Sequence, residues 1–200
     1  MIASDGGIRR LIRDRQITIW PEPTDDQFQP ASLDIHLDRF FLRPRTSELI
    51  GIIDPAIEQD LMEPVEMEGD RPYILGAHSF ALGSTLETVS LGTRVAAQVD
   101  GRSSIGRLGT LIHVTAGWID PGFVGTVTLE LVNLAPWPVK LYPGMRIGQL
   151  VFSILNEPTE VRYGSPGRNS SYQNQGRGPV ASAIHRSWNP VSTYLVKEWR

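Results

Sequence analysis

Three groups of residues between Gly101 and Asn133 have the types and spacing for chemistry on a charged, hydroxyl-bearing small molecule. The first is Gly101-Arg102-Ser103-Ser104-Ile105-Gly106-Arg107. Ser103 or Ser104 would cap a short helix, and Gly109 would end it in a left-handed conformation. A helix start offers unpaired N–H groups and the positive end of the peptide dipoles, so it favours an anion. Ser103 and Arg107 are one helical turn apart and share a face. With Arg102 just outside, two guanidiniums and two hydroxyls suit a polyphosphate. A surface helix with solvated arginines is the competing reading of the same residues.

The second group is the loop Thr115-Ala116-Gly117-Trp118-Ile119-Asp120-Pro121-Gly122-Phe123-Val124-Gly125, shaped by its glycines and Pro121. Pro121 holds Asp120 extended. A carboxylate fixed this way could accept a sugar hydroxyl or orient a water; it could equally do no more than start a turn. The third group is TVTLELVN, Thr126 to Asn133. Its alternation predicts a strand with Val127, Leu129 and Leu131 on one face and Thr126, Thr128, Glu130 and Val132 on the other. Glu130 is the candidate general base, set against the plainer reading of a strand glutamate facing water.

The rest of the chain must position these groups. Residues 4–15 read as a short amphipathic helix, with Ile8, Leu11 and Ile12 as its apolar stripe and Ser4 or Asp5 as its cap. Ile17 to Trp20 is a candidate strand, and residues 21–30 a loop. Residues 31–42 alternate, which predicts one strand with Leu33, Ile35 and Leu37 inward and Ser32, Asp34, His36 and Asp38 on the other face. Residues 43–72 read as loops and short edge strands broken by prolines. Further strands are expected at 73–75, 79–85, 88–91, 94–99, 139–142 and 145–155. Short strands separated by Gly and Pro turns predict an all-β sandwich or jelly roll with a few short helices.

Composition narrows the function. Two hundred residues at 40% hydrophobic content suit one core. A formal net charge of −3 gives no support for nucleic-acid binding. The sequence has no cysteine, which excludes disulfides and the cysteine-bearing signature of the zinc deaminases. No long apolar run or secretory pattern is present, so the expectation is a cytoplasmic protein with no membrane partner. The four histidines show no metal-type spacing, and a solvated or hydrogen-bonded His36 is expected.

The runs GRSSIGRLG, TAGWIDPGF and TLELVN, with the earlier QPASLDIHL (29–37) and the later PGMRIGQLVF (143–152), resemble the dCTP deaminases, relatives of the trimeric dUTPases. The likeness spans residues 1–185, and 186–200 form an extension beyond it. It implies a dUTPase-like distorted jelly roll whose C-terminal arm, residues 156–185, covers bound nucleotide. It also implies a zinc-independent hydrolase, a homotrimer with sites between subunits, dCTP and dUTP as ligands, and Mg2+ carried on the phosphates. The implied nucleotide contacts are Arg102, Ser103, Ser104, Ile105, Gly106, Arg107, Asp120, Thr128, Leu129, Glu130, Gln149, Tyr163, Ser171 and Gln175. Glu130, Ser103, Arg107 and Asp120 are the implied catalytic set.

The pair Gly117-Trp118 resembles the branch that carries dCTP through to dUMP; the familiar bacterial single-step type has His-Arg there. Physically, glycine admits close backbone approach and the indole can form a dry wall. A deaminase that releases dUTP, and a non-catalytic nucleotide-sensing module, are the alternatives. The family's lysine before the tyrosine of Tyr-Gln-x-Gln is replaced by Ser171, with Arg168 or Arg177 as candidate substitutes.

Overall fold

The computed structural model describes residues 1–45, 51–168 and 170–186. The expected extension at 186–200 therefore lies almost wholly outside the described residues. The elements are α1 (Asp5–Arg13), β1 (Ile17–Trp20), β2 (Phe28–Gln29), β3 (Ser32–His36), β4 (Phe40–Pro44), β5 (Met62–Glu66), β6 (Tyr73–Leu75), β7 (Phe80–Leu91) and β8 (Val95–Gly101). They continue with α2 (Ser103–Gly106), β9 (Thr110–Leu111), β10 (Trp118–Ile119), β11 (Val124–Asn133), β12 (Val139–Leu141) and β13 (Arg146–Ile154). One sheet runs β5-β4-β7-β11-β9, with β1 also on β7; a second runs β10-β8-β13-β3-β2; β6 and β12 pair as a small ribbon. Among the described residues no helix is long and apolar enough to cross a membrane.

The core lies where the sheets' apolar faces meet. Leu33, Ile35, Val89, Ala97, Leu129, Leu131, Leu150 and Phe152 are all fully buried there. Each of these valine, leucine, isoleucine and phenylalanine side chains contributes about 1.5–3 kcal/mol on leaving water. The helix at residues 4–15 is confirmed as α1, with Ser4 Oγ accepting from the Gly7 N–H at 3.3 Å and Ile8 buried.

Two strand expectations are corrected. Residues 31–42 are not one strand: the chain leaves β3 and enters β4 in the other sheet. At the crossover the Leu37 N–H donates to Met145 O and the Asp38 N–H to Ser84 O. The backbone bonds of this bend are thus satisfied by both sheets at once. The segments 79–85 and 88–91 are one continuous strand, β7, because β11 pairs along its length. The only break is a shift in register between Thr126 and Thr128, where the Val127 N–H turns to Thr85 Oγ1 at 2.9 Å. That shift also spoils the strict alternation expected of Thr126 to Val132. Thr126 is buried, Val127 is half-buried, and regular alternation resumes only at Thr128.

Ser32, Asp34 and Asp38 are buried as well and His36 is half-buried, and each has partners. Ser32 Oγ donates to Gln149 Oε1 at 2.7 Å, and Asp34 Oδ2 accepts from Gln29 Nε2 at 3.2 Å. His36 is hydrogen-bonded, as expected: its Nδ1 lies 2.6 Å from Glu87 Oε1, whose carboxylate also accepts the His36 backbone N–H.

Candidate active site

β11 is a central strand with β7 on one side and β9 on the other, and Glu130 stands on it between the fully buried Leu129 and Leu131. Its side chain is about one-third exposed, and Oε2 accepts the Val114 N–H at 3.0 Å. His113 Nδ1 lies 3.9 Å from the same oxygen, and neither ring nitrogen of His113 has a hydrogen-bond partner although both are buried. His113 is not among the residues expected at the site from sequence. Its one signal was position, two residues before the functional loop that begins at Thr115.

Glu130 opens into a cleft of about 720 Å³. Asp120, Gly117, Trp118 and Thr128 line it, together with Tyr163, Tyr172 and Gln175 from the C-terminal arm. Asp120 is exposed, and its Oδ1 accepts from the Trp118 indole N–H at 3.1 Å. Trp118 is thus a half-exposed wall of the cleft, not core. Leu129 is fully buried, so only its backbone can meet a ligand.

The residues at Gly101 to Arg107 do not share this cleft within one chain. Arg102, Ser103, Gly106 and Gln149 line a second opening of about 600 Å³. Val99, His113 and Gly117 line both openings. α2 is a single turn capped by Arg102, one residue earlier than the serine caps expected, and Arg102 makes no side-chain cap bond. Starting earlier leaves Ser103 and Ser104 inside the helix with exposed hydroxyls. So short a helix sums few peptide dipoles, and anion binding must rest mainly on these side chains. Arg107 follows the turn, its N–H on Ser103 O at 3.0 Å, and its exposed guanidinium has no ion-pair partner among the described residues. Gly109 has the expected left-handed φ, +82°, but it does not cap the helix: α2 ends at Gly106 with Arg107 as a right-handed C-cap, and turn bonds carry the chain on to Gly109. The Ile105 side chain is buried, so it anchors the turn and does not reach outward.

Arg102 and Gln149 are held from behind. Asp34 Oδ2 lies 3.4 Å from Arg102 Nη1 and 3.7 Å from Arg146 Nη1. Gln149 takes the Ser32 hydroxyl and donates to Gly101 O at 3.4 Å.

The arm is ordered against its own chain. Tyr163 N–H donates to Pro121 O at 2.8 Å, and the Tyr163 hydroxyl accepts the Tyr172 N–H at 3.1 Å. Gln175 Nε2 donates to Thr128 Oγ1 at 2.8 Å. Two loop glycines admit this contact. A Cβ at Gly125 would lie 2.9 Å from both the N and the O of Gln175, and one at Gly122 would lie 2.7 Å from Arg162 Cβ. Rich in Gly, Ser, Asn and Gln, this segment cannot build a core of its own, and hydrogen bonds to the loop and β11 supply its ordering. Ser171 is half-buried beside Tyr172. Arg177 is not available as the substitute for the family lysine, since Nε and Nη2 are both spent on Asp38. The same pairing raises the Arg177 pKa above its ordinary value.

Two sheets enclosing one core, with a carboxylate cleft roofed by a C-terminal arm, define a protein of the dUTPase-like fold class. Residues 2–155 match the dCTP deaminase-like domain family, and the chain belongs to that family. It is 52% identical over 191 residues to the "dCTP deaminase, dUMP-forming" of a Nocardioides species, covering 94% of this chain and 98% of the relative. It is 49% identical over 190 residues to the protein of that name from Acidothermus cellulolyticus, covering 94% and 96%. Among solved structures, 2′-deoxycytidine 5′-triphosphate deaminase from Agrobacterium tumefaciens superposes with a TM-score of 0.60 at 26% identity. That match takes in 76% of this chain and about half, 48%, of the other.

Proposed function

We propose that this chain is a hydrolase that converts dCTP to dUMP, pyrophosphate and ammonia in the cytoplasm, supplying a thymidylate precursor. The observation that carries the chemistry is Glu130: a carboxylate on a rigid strand, with Oε2 held by the Val114 N–H and a cleft in front of it. In the first step a water attacks C4 of cytosine. Glu130 takes one proton from that water and delivers it to the ring nitrogen; it then takes the remaining proton of the new C4 hydroxyl and passes it to the amine, which departs as ammonia as the C4 carbonyl forms. Ser103 and Arg107 steady the water and the developing charge. In the second step another water attacks the α-phosphorus of the dUTP just made and pyrophosphate leaves. Arg102, Ser104 and Gln149 line up the phosphates, and Asp120 holds the deoxyribose hydroxyl or orients the water.

Mg2+ fits this site as an ion carried by the nucleotide: the serine hydroxyls and Gln149 are neutral partners for its phosphates, and among the described residues no cluster of three His, Cys, Asp or Glu converges on a metal. When bound, it would neutralise charge on the phosphates.

The separation of the two openings supports a site shared between copies of the chain. Within one chain no residue of Gly101–Arg107 lines the Glu130 cleft, while Gly101, Arg102, Ser103 and Gly106 line the other opening, so in this reading a complete site takes the Gly101–Arg107 segment of one subunit and the Glu130 cleft of another. The homotrimer of the family satisfies this requirement. Residues 1–185, with the arm from about 156, form the catalytic unit in this reading.

The test is incubation of the protein with dCTP and Mg2+, separating nucleotides by chromatography and measuring ammonia. Equal accumulation of dUMP and ammonia with little free dUTP is expected. Accumulating dUTP would make the chain a single-step deaminase, and binding of dCTP without turnover would make it a nucleotide-sensing module.

A further inference from the structure

Asp38 is a carboxylate that the chemistry above does not use, and it is 1% exposed at the crossover between the two sheets. Burying such a group is costly unless every oxygen finds a partner. Here the partner comes from the arm. Arg177 Nε donates to Asp38 Oδ2 at 2.9 Å and Nη2 donates to Oδ1 at 2.9 Å, a two-pronged pairing. The Arg39 N–H adds a third bond to Oδ1 at 2.8 Å, and the guanidinium lies 5.2 Å from the centre of the Phe40 ring.

The stretch just before Arg177 lies along β11. Gln175 O accepts the Thr126 N–H at 3.2 Å, Thr126 Oγ1 donates to Gly176 O at 2.6 Å, and the Gln175 side chain reaches Thr128. Thr128 is two residues from Glu130 on the same strand face. Past Arg177, the Val180 N–H donates to Thr128 Oγ1 at 3.1 Å. The arm therefore runs beside the Glu130 cleft between two attachments of different kinds. One is a ladder of neutral hydrogen bonds to β11; the other is one charged fork at the crossover.

We propose that Asp38 and Arg177 form a clasp that seats the arm over the Glu130 cleft, which makes both of them positioning residues for the nucleotide. A two-pronged pair fixes register as well as distance, so Gln175 and Tyr172 come to rest at the cleft and not a residue away from it. The clasp is also releasable. The Arg177 side chain is 59% exposed, so water screens the pair and can take over both partners when the arm lifts. Its effect on turnover rests on the function proposed above; its effect on the arm does not.

The experiment uses the full chain and its Asp38→Asn, Arg177→Gln, Arg177→Lys and doubly substituted Asp38→Asn/Arg177→Gln forms. The first readout is chymotryptic cleavage after Tyr172 without nucleotide. Cleavage about tenfold faster in either single variant is expected, with the double variant no faster than the singles and the lysine variant close to the glutamine one. The second readout is dCTP turnover, where a smaller seated fraction should raise KM about five- to tenfold with kcat within about twofold. Cleavage and KM at the level of the unsubstituted chain, or effects that add in the double variant, would overturn the clasp. A fall in kcat at constant KM would overturn its positioning role. If the unsubstituted chain does not turn over dCTP, the function proposed above fails while the cleavage series still decides the clasp. Arg177→Gln changes a side chain more than half exposed, and so carries the test if Asp38→Asn does not fold.

Discussion

Glu130 and Arg107 belong to one proposed site and are held in opposite ways. Glu130 rides on a ten-residue strand flanked by paired strands, with fully buried leucines on either side and a backbone N–H on its carboxylate. Arg107 follows a four-residue helix, is exposed, and has no ion-pair partner among the described residues. The difference matches the tasks. A proton must travel to a fixed atom over a fraction of an ångström, so its carrier belongs on the most rigid element available. A triphosphate is flexible and highly charged; an unpaired guanidinium on a short turn can adapt to it and is ordered only when the anion arrives.

The sharpest way to break this comparison is Glu130→Gln. The amide oxygen can still accept the Val114 N–H, so the cleft should stay intact and dCTP binding should change by no more than about threefold. Ammonia release should fall by about 10³-fold, the scale of a lost general acid–base. Retained ammonia release would remove Glu130 from the chemistry and leave its rigid mounting a matter of packing alone.

The next effect tests whether the two halves meet across subunits. Glu130→Gln and Arg107→Ala chains, each nearly inactive alone, are unfolded together and reassembled. A site built from the intact helix segment of the first and the intact glutamate of the second is complete. Random mixing should therefore restore about a quarter of the unsubstituted activity. No recovery, in a mixture shown to have exchanged chains, would mean that both halves come from one chain, contrary to the separate openings seen here.

These two regions were also unequally legible in the sequence. The strand of Glu130 announced itself by alternation, because burial between sheets forces a period of two. The alternation failed only at Thr126 to Thr128, where a shift in register depends on Thr85 of another strand and leaves no local signal. The Arg102 to Arg107 turn was placed correctly, yet its cap was assigned one residue late, since serines are better caps than arginine in isolation. Tertiary partners were invisible. Nothing near Asp38 in sequence points to Arg177, which is 139 residues away, and Arg177 read alone looked like a phosphate ligand. His113 was missed for the same reason: its place between the two openings comes from folding Gly117 and Val99 against it.

That shared wall gives a milder test. A Cβ at Gly117 would lie 2.9 Å from Val99 O and 3.0 Å from His113 Cδ2, so any side chain there must move the histidine or β8. Gly117→His should slow pyrophosphate release about tenfold while ammonia release falls by less than about threefold. This outcome would place the glycine at the second step, on the phosphate side of the wall. Equal loss of both products would mean that crowding His113 disturbs Glu130 first, and that the wall serves the carboxylate cleft more than the phosphate opening.

The smallest expected effect sharpens the contrast from the flexible side. By the family resemblance Ser171 stands in place of a lysine, and both Nε and Nη2 of Arg177 are taken up by Asp38. In the reading proposed above, the arm then meets the nucleotide by hydrogen bonds and aromatic contacts, and Arg102, Arg107 and the remaining candidate Arg168 are left to meet the phosphate charge. Ser171→Lys should lower KM for dCTP about threefold at low salt, the scale of one screened ion pair, with kcat unchanged. The gain should shrink as salt rises, because a half-buried position on the arm is still open to counter-ions. A KM that does not respond would show that the arm does not come near the phosphates and acts only on the base and sugar. In that case phosphate recognition would belong entirely to the Arg102–Arg107 segment, and the division of labour between rigid strand and adaptable turn would be more complete than the mutual contacts of arm and loop suggest.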